Sequence, residues 1–217
     1  ARLEEVDLPQ PAQDEVLLKV SHCGLCGSDL HAWLDHPGYE FVLPQVTFGH
    51  EVSGVVEQTG SDATRWKGGD HAVMVPVQTA HDDNCRYCCE GLPQLSTRRR
   101  VQGLSLDGGM GEYVAEKEEF LVPLPQELPL NLASLTVPLS VADHCVGNRS
   151  SIGKGSKVVV TGPGVIGAFC AITARHHGAE VLIVGTERDE EARLSRLRKI
   201  GFATATVGPE MAPLEEQ

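Results

Sequence analysis

K-V-V-V-T-G-P-G-V-I-G, residues 157–167, is the stretch on which the fold turns. Its first half is a short apolar strand, and it runs straight into G-x-G-x-x-G. Such a glycine pattern alone is weak. Here it follows a strand, opens a helix-like stretch at 165–177 and precedes a second strand, E-V-L-I-V at 180–184. That context makes it a dinucleotide-binding fingerprint. Gly162 makes the turn, Gly164 lets a pyrophosphate approach the backbone, and Gly167 permits close helix–strand packing. Val165 and Ile166 complete the expected cofactor-binding set at the helix N-terminus, where free N–H groups and the helix dipole favour anions.

Outward from this core, the second strand ends at Gly185, where an acidic residue would ordinarily bond a ribose 2′-hydroxyl. T-E-R-D follows at 186–189. Arg188 could pair with a 2′-phosphate, which favours NADP. Glu187 or Asp189 could reach a ribose, which favours NAD, or the acids could simply charge the first turn of the next helix. That helix is expected over about 188–200, and F-A-T-A-T-V at 202–207 reads as a third strand. A complete doubly wound domain has about six parallel strands. Three are legible, so the domain is expected to be incomplete and the chain part of a longer protein.

Toward the N-terminus the pattern is different. E-V-L-L-K-V-S-H-C at 15–23 reads as a buried strand, and the opening R-L-E-E-V-D-L-P as another already under way. Short Val-rich runs broken by Gly and Pro continue to about residue 125: E-V-S-G-V-V-E, H-A-V-M-V-P-V, G-E-Y-V-A and F-L-V-P-L. That spacing predicts an all-β, barrel-like domain. The expected division is 1–148 and 149–217, an α/β chain with a large β part. Residues 35–46, with two prolines, are expected to form a loop near a substrate mouth.

Between strand and loop lies the candidate chemistry. C-G-S-D-L-H at 26–31 and G-H-E at 49–51 offer a thiolate from Cys26, an imidazole from His50 and a carboxylate from Glu51. Soft and borderline donors of this kind select Zn²⁺, and a catalytic zinc needs three protein ligands and an open position. Adjacent residues on a flat strand point to opposite faces, so His50 and Glu51 can share one ion only across a local bend. Ser28 and His31 are candidate groups for moving a proton, and Asp29 for fixing the tautomer of His50.

These residues carry a resemblance. G-H-E-V-S-G-V-V-E-Q-T-G at 49–60, K-G-G-D-H-A-V at 67–73, D-G-G-M-G-E-Y at 107–113 and the glycine fingerprint resemble the zinc-containing alcohol dehydrogenases of the medium-chain dehydrogenase/reductase superfamily, nearest the polyol and threonine dehydrogenase branch. The resemblance implies a GroES-like β-barrel catalytic domain followed by a Rossmann domain. It implies hydride transfer between an alcohol or polyol and NAD or NADP, with Zn²⁺ at Cys26, His50 and Glu51 and a proton relay through Ser28 and His31. It also implies a homo-oligomeric parent enzyme.

Two departures stand out. Relatives with a structural-zinc lobe carry four cysteines; here the first falls on Asp82 and the last on Ser96, around the C-x-x-C of Cys85 and Cys88. A neutral serine is a poor ligand, so a metal-free lobe is expected unless His81 or Cys89 substitutes. Relatives also place a glutamate or a cysteine ligand where Val137 stands, and valine can do the work of neither. A zinc-free reductase and a fragment that binds without turnover are the rival readings.

Composition narrows the rest. The 217 residues carry a net charge of −12, with no basic field for a phosphate backbone and therefore no expected nucleic-acid partner. Arg98-Arg99-Arg100 is too short to overturn that. No apolar run of about 18 residues predicts a membrane span. Seven cysteines, odd in number and partly clustered, fit reduced thiols and metal ligation, so a cytoplasmic location is expected.

Overall fold

A computed structural model describes residues 1–79 and 84–208. They form two compact units, Ala1–Val137 and Pro138–Gln217.

The first unit is built on β1 (Glu15–Gly24), which leads through a turn into α1 (Gly27–Trp33). β2 (Glu51–Thr59), β3 (His71–Met74) and β4 (Val77–Gln78) follow, then the single turn α2 (Arg86–Cys89) and β5 (Arg100–Val101). β6 (Tyr113–Lys117), β7 (Leu121–Pro123) and α3 (Leu130–Ala133) come next, and α4 (Thr136–Asp143) carries the chain across the boundary at Val137. An antiparallel sheet of order β6-β1-β2-β3-β7 carries the unit, and β4 pairs with β5 in a small ribbon. Alternation puts Val16, Leu18, Val52, Val56, Ala72, Met74, Val114 and Leu121 on one face, where they close over Ala63 and Trp66. Ser53, in β2, is fully buried because its hydroxyl donates to the carbonyl of Leu130 at 2.6 Å, which ties α3 to the sheet.

The N-terminal strand is not formed. Residues 1–12 are irregular, with Leu3 wholly exposed and Val6 76% exposed. Pro9 and Pro11 lack the N–H that a ladder needs, and the sheet β6-β1-β2-β3-β7 is built without residues 1–12. Residues 35–46 are a loop, as expected.

The second unit has β8 (Lys157–Thr161), α5 (Val165–His176), β9 (Glu180–Thr186), α6 (Ser195–Lys199) and β10 (Ala203–Val207). The strands form a parallel sheet of order β10-β9-β8. Ala171 of α5, Ile183 of β9, Leu194, Leu197 and Phe202 make its core. The helix expected over 188–200 is helical from Glu187 to Lys199, but only α6 is regular: a 3₁₀ turn at Glu187–Asp189 and a π-type stretch at Glu190–Leu194 precede it. Among the described residues no helix is long and apolar enough to cross a membrane.

Candidate metal centre

The centre grows out of the end of β1. Cys26 is the N-cap of α1, in extended conformation with φ −89° and ψ 155°. Its N–H donates to Asp29 Oδ2 at 2.9 Å, so the carboxylate at the third helical position turns back over the cap. On the facing strand, Gly24 pairs with Glu51. A Cβ at residue 24 would sit 2.1 Å from Glu51 Oε2, so glycine is what leaves room for that carboxylate.

The bend required for His50 and Glu51 is present. Glu51 is the first residue of β2, and His50 precedes the strand. Gly49, with φ +97°, turns the chain just before them, a conformation glycine adopts without strain. Cys26, His50 and Glu51 bring one ligand atom each within 4.8 Å of one another. His50 and Glu51 are buried. Among the described residues this is the one group of three or more such side chains able to hold a metal.

Second contacts orient the set. His50 Nδ1 lies 3.3 Å from Asp29 Oδ1, and Asp29 is only 3% exposed. His50 Nε2 lies 3.3 Å from Ser28 Oγ, on the side that faces Cys26. Burial pulls the imidazolium down, but Asp29 and the Cys26 sulfur outweigh it and hold His50 up at about 10. The same hydrogen bond from His50, with help from Ser28, lowers the Cys26 thiol. Desolvation raises Glu51 against the pull of His50. Nearby Cys23 behaves in the opposite way: burial pushes its thiol up to about 11, and it packs against the apolar core. The donor set therefore fits a zinc ion: a thiolate, an imidazole with a carboxylate behind its far nitrogen, and a second carboxylate.

His31 stands apart from Ser28. Its Nδ1 is 2.7 Å from Nδ1 of His36, and its ring stacks on Tyr39 at 5.9 Å. No hydrogen bond joins Ser28 to His31 among the described residues. The sequence marks His36 only by its five-residue spacing from His31 across a helix end. Val137 lies in the first turn of α4.

In the cysteine lobe, Cys85 Sγ donates to Ser96 Oγ at 3.4 Å. Ser96 is fully buried and also accepts the N–H of Arg98 at 3.1 Å, the work of a turn residue. His81 and Asp82 lie outside the described residues.

In the second unit the fingerprint glycines differ in kind. A Cβ at Gly167 would meet the Gly162 carbonyl oxygen at 1.9 Å, whereas one at Gly164 would meet nothing within 4 Å. Gly167 thus serves packing, and Gly164 leaves its surroundings open. Gly185 is buried at the end of β9. Beyond it, Asp189 turns inward: Oδ2 accepts the Thr186 N–H at 3.0 Å, and Oδ1 pairs with Arg193 at 2.7 Å. Glu187 and Arg188 are exposed.

Residues 12–126 match the family described as alcohol dehydrogenase GroES-like domain. The chain is 36% identical over 202 residues to a sorbitol dehydrogenase of Halalkalibacterium halodurans, covering 92% of this chain and 57% of that one. It is 34% identical to the (R,R)-butanediol dehydrogenase of Saccharomyces cerevisiae, covering 90% and 57%. Its fold superposes on the crystal structure of a candidate zinc-binding dehydrogenase from Sinorhizobium meliloti bound to NADP, with a TM-score of 0.84 and 32% identity, over 95% of this chain and 58% of that chain. The chain thus spans a little over half the length of these relatives. It belongs to the alcohol dehydrogenase family of the medium-chain dehydrogenase/reductase superfamily, with a GroES-like domain followed by a Rossmann-type unit of three parallel strands among the described residues.

Proposed function

We propose that this chain serves hydride transfer between the CH–OH group of an alcohol or polyol and NAD(P), with zinc held by Cys26, His50 and Glu51. The observation that carries the reading is the convergence of those three donors within 4.8 Å, with Asp29 behind the imidazole. Sorbitol and butanediol, in the names of the two relatives, are both compounds with neighbouring hydroxyls, which supports a polyol-like substrate. A cytoplasmic setting suits the free cysteines.

When bound, Zn²⁺ would supply the Lewis acidity that lowers the pKa of a substrate hydroxyl. Cys26 and Glu51 bring negative charge to that position, and Asp29 keeps the Nε2 edge of His50 toward it. Ser28 Oγ, beside His50 Nε2, can take up a proton there and hand it on. His31, paired with His36, would release it to solvent once a bridging group spans the gap from Ser28, since no hydrogen bond joins the two among the described residues. In the second unit the amides that open α5 would receive the pyrophosphate. Arg188, exposed past Gly185, would meet a 2′-phosphate, which NADP bound to the Sinorhizobium meliloti relative supports.

The test is elemental analysis of the purified protein together with NAD(P)H formation on a panel of alcohols and polyols. About one Zn²⁺ per chain, lost in Cys26→Ser together with turnover, is the expected result. A wild-type protein that binds no zinc would overturn the reading.

A further inference from the structure

The backbone that delivers His50 is clamped by residues 101–110. A Cβ at Gly103 would meet the Gly49 nitrogen at 2.6 Å, and one at Gly108 the Gly49 carbonyl oxygen at 2.0 Å. The N–H groups of Gly108, Gly109 and Met110 donate to the carbonyls of Thr47, Gly49 and Phe48 at 2.7, 2.9 and 2.8 Å. The segment before His50 therefore cannot shift unless residues 103–110 shift with it.

The anchor of that clamp is polar and buried. Gln102, immediately before Gly103, is 2% exposed, and its N–H donates to the Pro76 carbonyl at 2.9 Å. Its side-chain amide donates to Oε2 of Glu116, in β6. Glu116 is fully buried; its Oε1 also accepts from Gln78 Nε2 at 2.6 Å and from the Lys117 N–H at 2.7 Å. A buried carboxylate is tolerated only when donors of this kind surround it. Apolar contacts are non-directional, whereas a hydrogen bond fixes its partners in distance and angle. Gln102 Oε1 has no partner, so the amide of Gln102 is held through its NH₂ alone.

We propose that Glu116 is a positioning residue of the metal centre: through Gln102 and the contact of Gly103 with Gly49, it sets the backbone from which His50 and Glu51 reach Cys26. The proposal rests on the metal-centre reading above. It assigns a function to a buried charge that touches neither metal ligand nor substrate.

The test uses the full chain with Zn²⁺ and Co²⁺ as probes, reading affinity by chelator competition and the thiolate-to-Co²⁺ absorption band. Glu116→Leu and Gln102→Leu are each expected to weaken Zn²⁺ binding about 10–100-fold, as lost orienting partners do, and to change the Co²⁺ band. Glu116→Gln, whose amide oxygen can keep the Gln78 and Lys117 donors while its NH₂ gives to the unpartnered Oε1 of a turned Gln102 amide, is expected to stay within about threefold of wild type. If Glu116→Leu does not fold, Gln102→Leu removes a single donor and gives the same reading. Leucine variants that melt lower yet keep wild-type Zn²⁺ affinity and Co²⁺ absorption would overturn the proposal and leave the clasp purely structural. Failure of the wild type to bind metal at all would overturn the underlying reading, and it is seen before any variant is compared.

Discussion

Asp29 reaches two ligands of one site: its Oδ1 lies 3.3 Å from His50 Nδ1, and its Oδ2 accepts the N–H of Cys26 at 2.9 Å. The contact with His50 is close but not aligned as a hydrogen bond, and neither atom has another partner. The carboxylate nevertheless raises the His50 imidazolium, through its close approach to Nδ1 and through its charge, in a place where burial limits screening. Asp29→Asn keeps an acceptor for Cys26 but removes the charge behind His50. Zinc affinity should fall about 10–100-fold, read by chelator competition. An unchanged dissociation constant would show that His50 is oriented by packing alone.

Protonation of the metal-free site gives a second prediction. Burial disfavours the His50 imidazolium, but Asp29 and Cys26 overcome it and raise the group from 6.5 to about 10. The sign follows: in metal-free protein this contribution to stability is complete below about pH 6.5 and is lost as pH rises through about 10. Zinc needs the neutral ring, so binding near pH 8 should release about one proton from His50. Calorimetry in buffers of different ionisation enthalpy measures that number. Release of none at pH 8 would place the His50 proton elsewhere.

What the sequence made legible was local. The strand, turn and helix around 157–167 were readable because period and glycine spacing act over a dozen residues, and β8, α5 and β9 follow them. Cys26, His50 and Glu51 were readable as chemistry, but their convergence needed Gly24 opposite Glu51 and the turn at Gly49, both products of strand register. The opening R-L-E-E-V-D-L-P has a strand's composition, but Pro9 and Pro11 remove the ladder donors next to it and the sheet is built without it. Glu116 gave no signal at all. In E-Y-V-A-E-K it looks like any surface acid, and only the fold brings Gln102 and Gln78 to it.

Glu116 carries a third prediction. Burial is the dominant influence and outweighs the amide donors, raising the carboxyl from 4.5 to about 7, with Glu15 on β1 adding to the rise. A raised acid favours the folded state while protonated. Its contribution is therefore complete below about pH 4.5 and is lost by the time pH passes about 7. The gap between those values is worth on the order of 3 kcal/mol. Glu116→Gln, which cannot ionise, should flatten this part of the stability profile in urea titrations between those pH values. A wild-type and variant profile of the same slope would mean that Glu116 stays ionised throughout.

The last prediction concerns cofactor choice. Beyond Gly185, three charged side chains could meet the adenosine ribose: Glu187, Arg188 and Asp189. Asp189 is committed elsewhere, with Thr186 and Arg193 holding both of its oxygens. A carboxylate bound by a backbone N–H, a hydroxyl and a guanidinium gives these up only at a cost larger than one ribose hydrogen bond returns. That leaves Glu187 and Arg188, both exposed. A 2′-phosphate is attracted by Arg188 and repelled by Glu187, while a ribose hydroxyl needs only an acceptor. Arg188→Ala should therefore raise the KM for NADP about tenfold or more and leave that for NAD nearly unchanged, since charge-assisted pairs to phosphate are the strong ones. Glu187→Gln should act in the opposite sense, easing NADP and weakening NAD. Steady-state kinetics with both cofactors on one alcohol decides it. Equal effects of Arg188→Ala on the two would return that side chain to the solvated surface and leave Glu187 as the residue that reads the ribose.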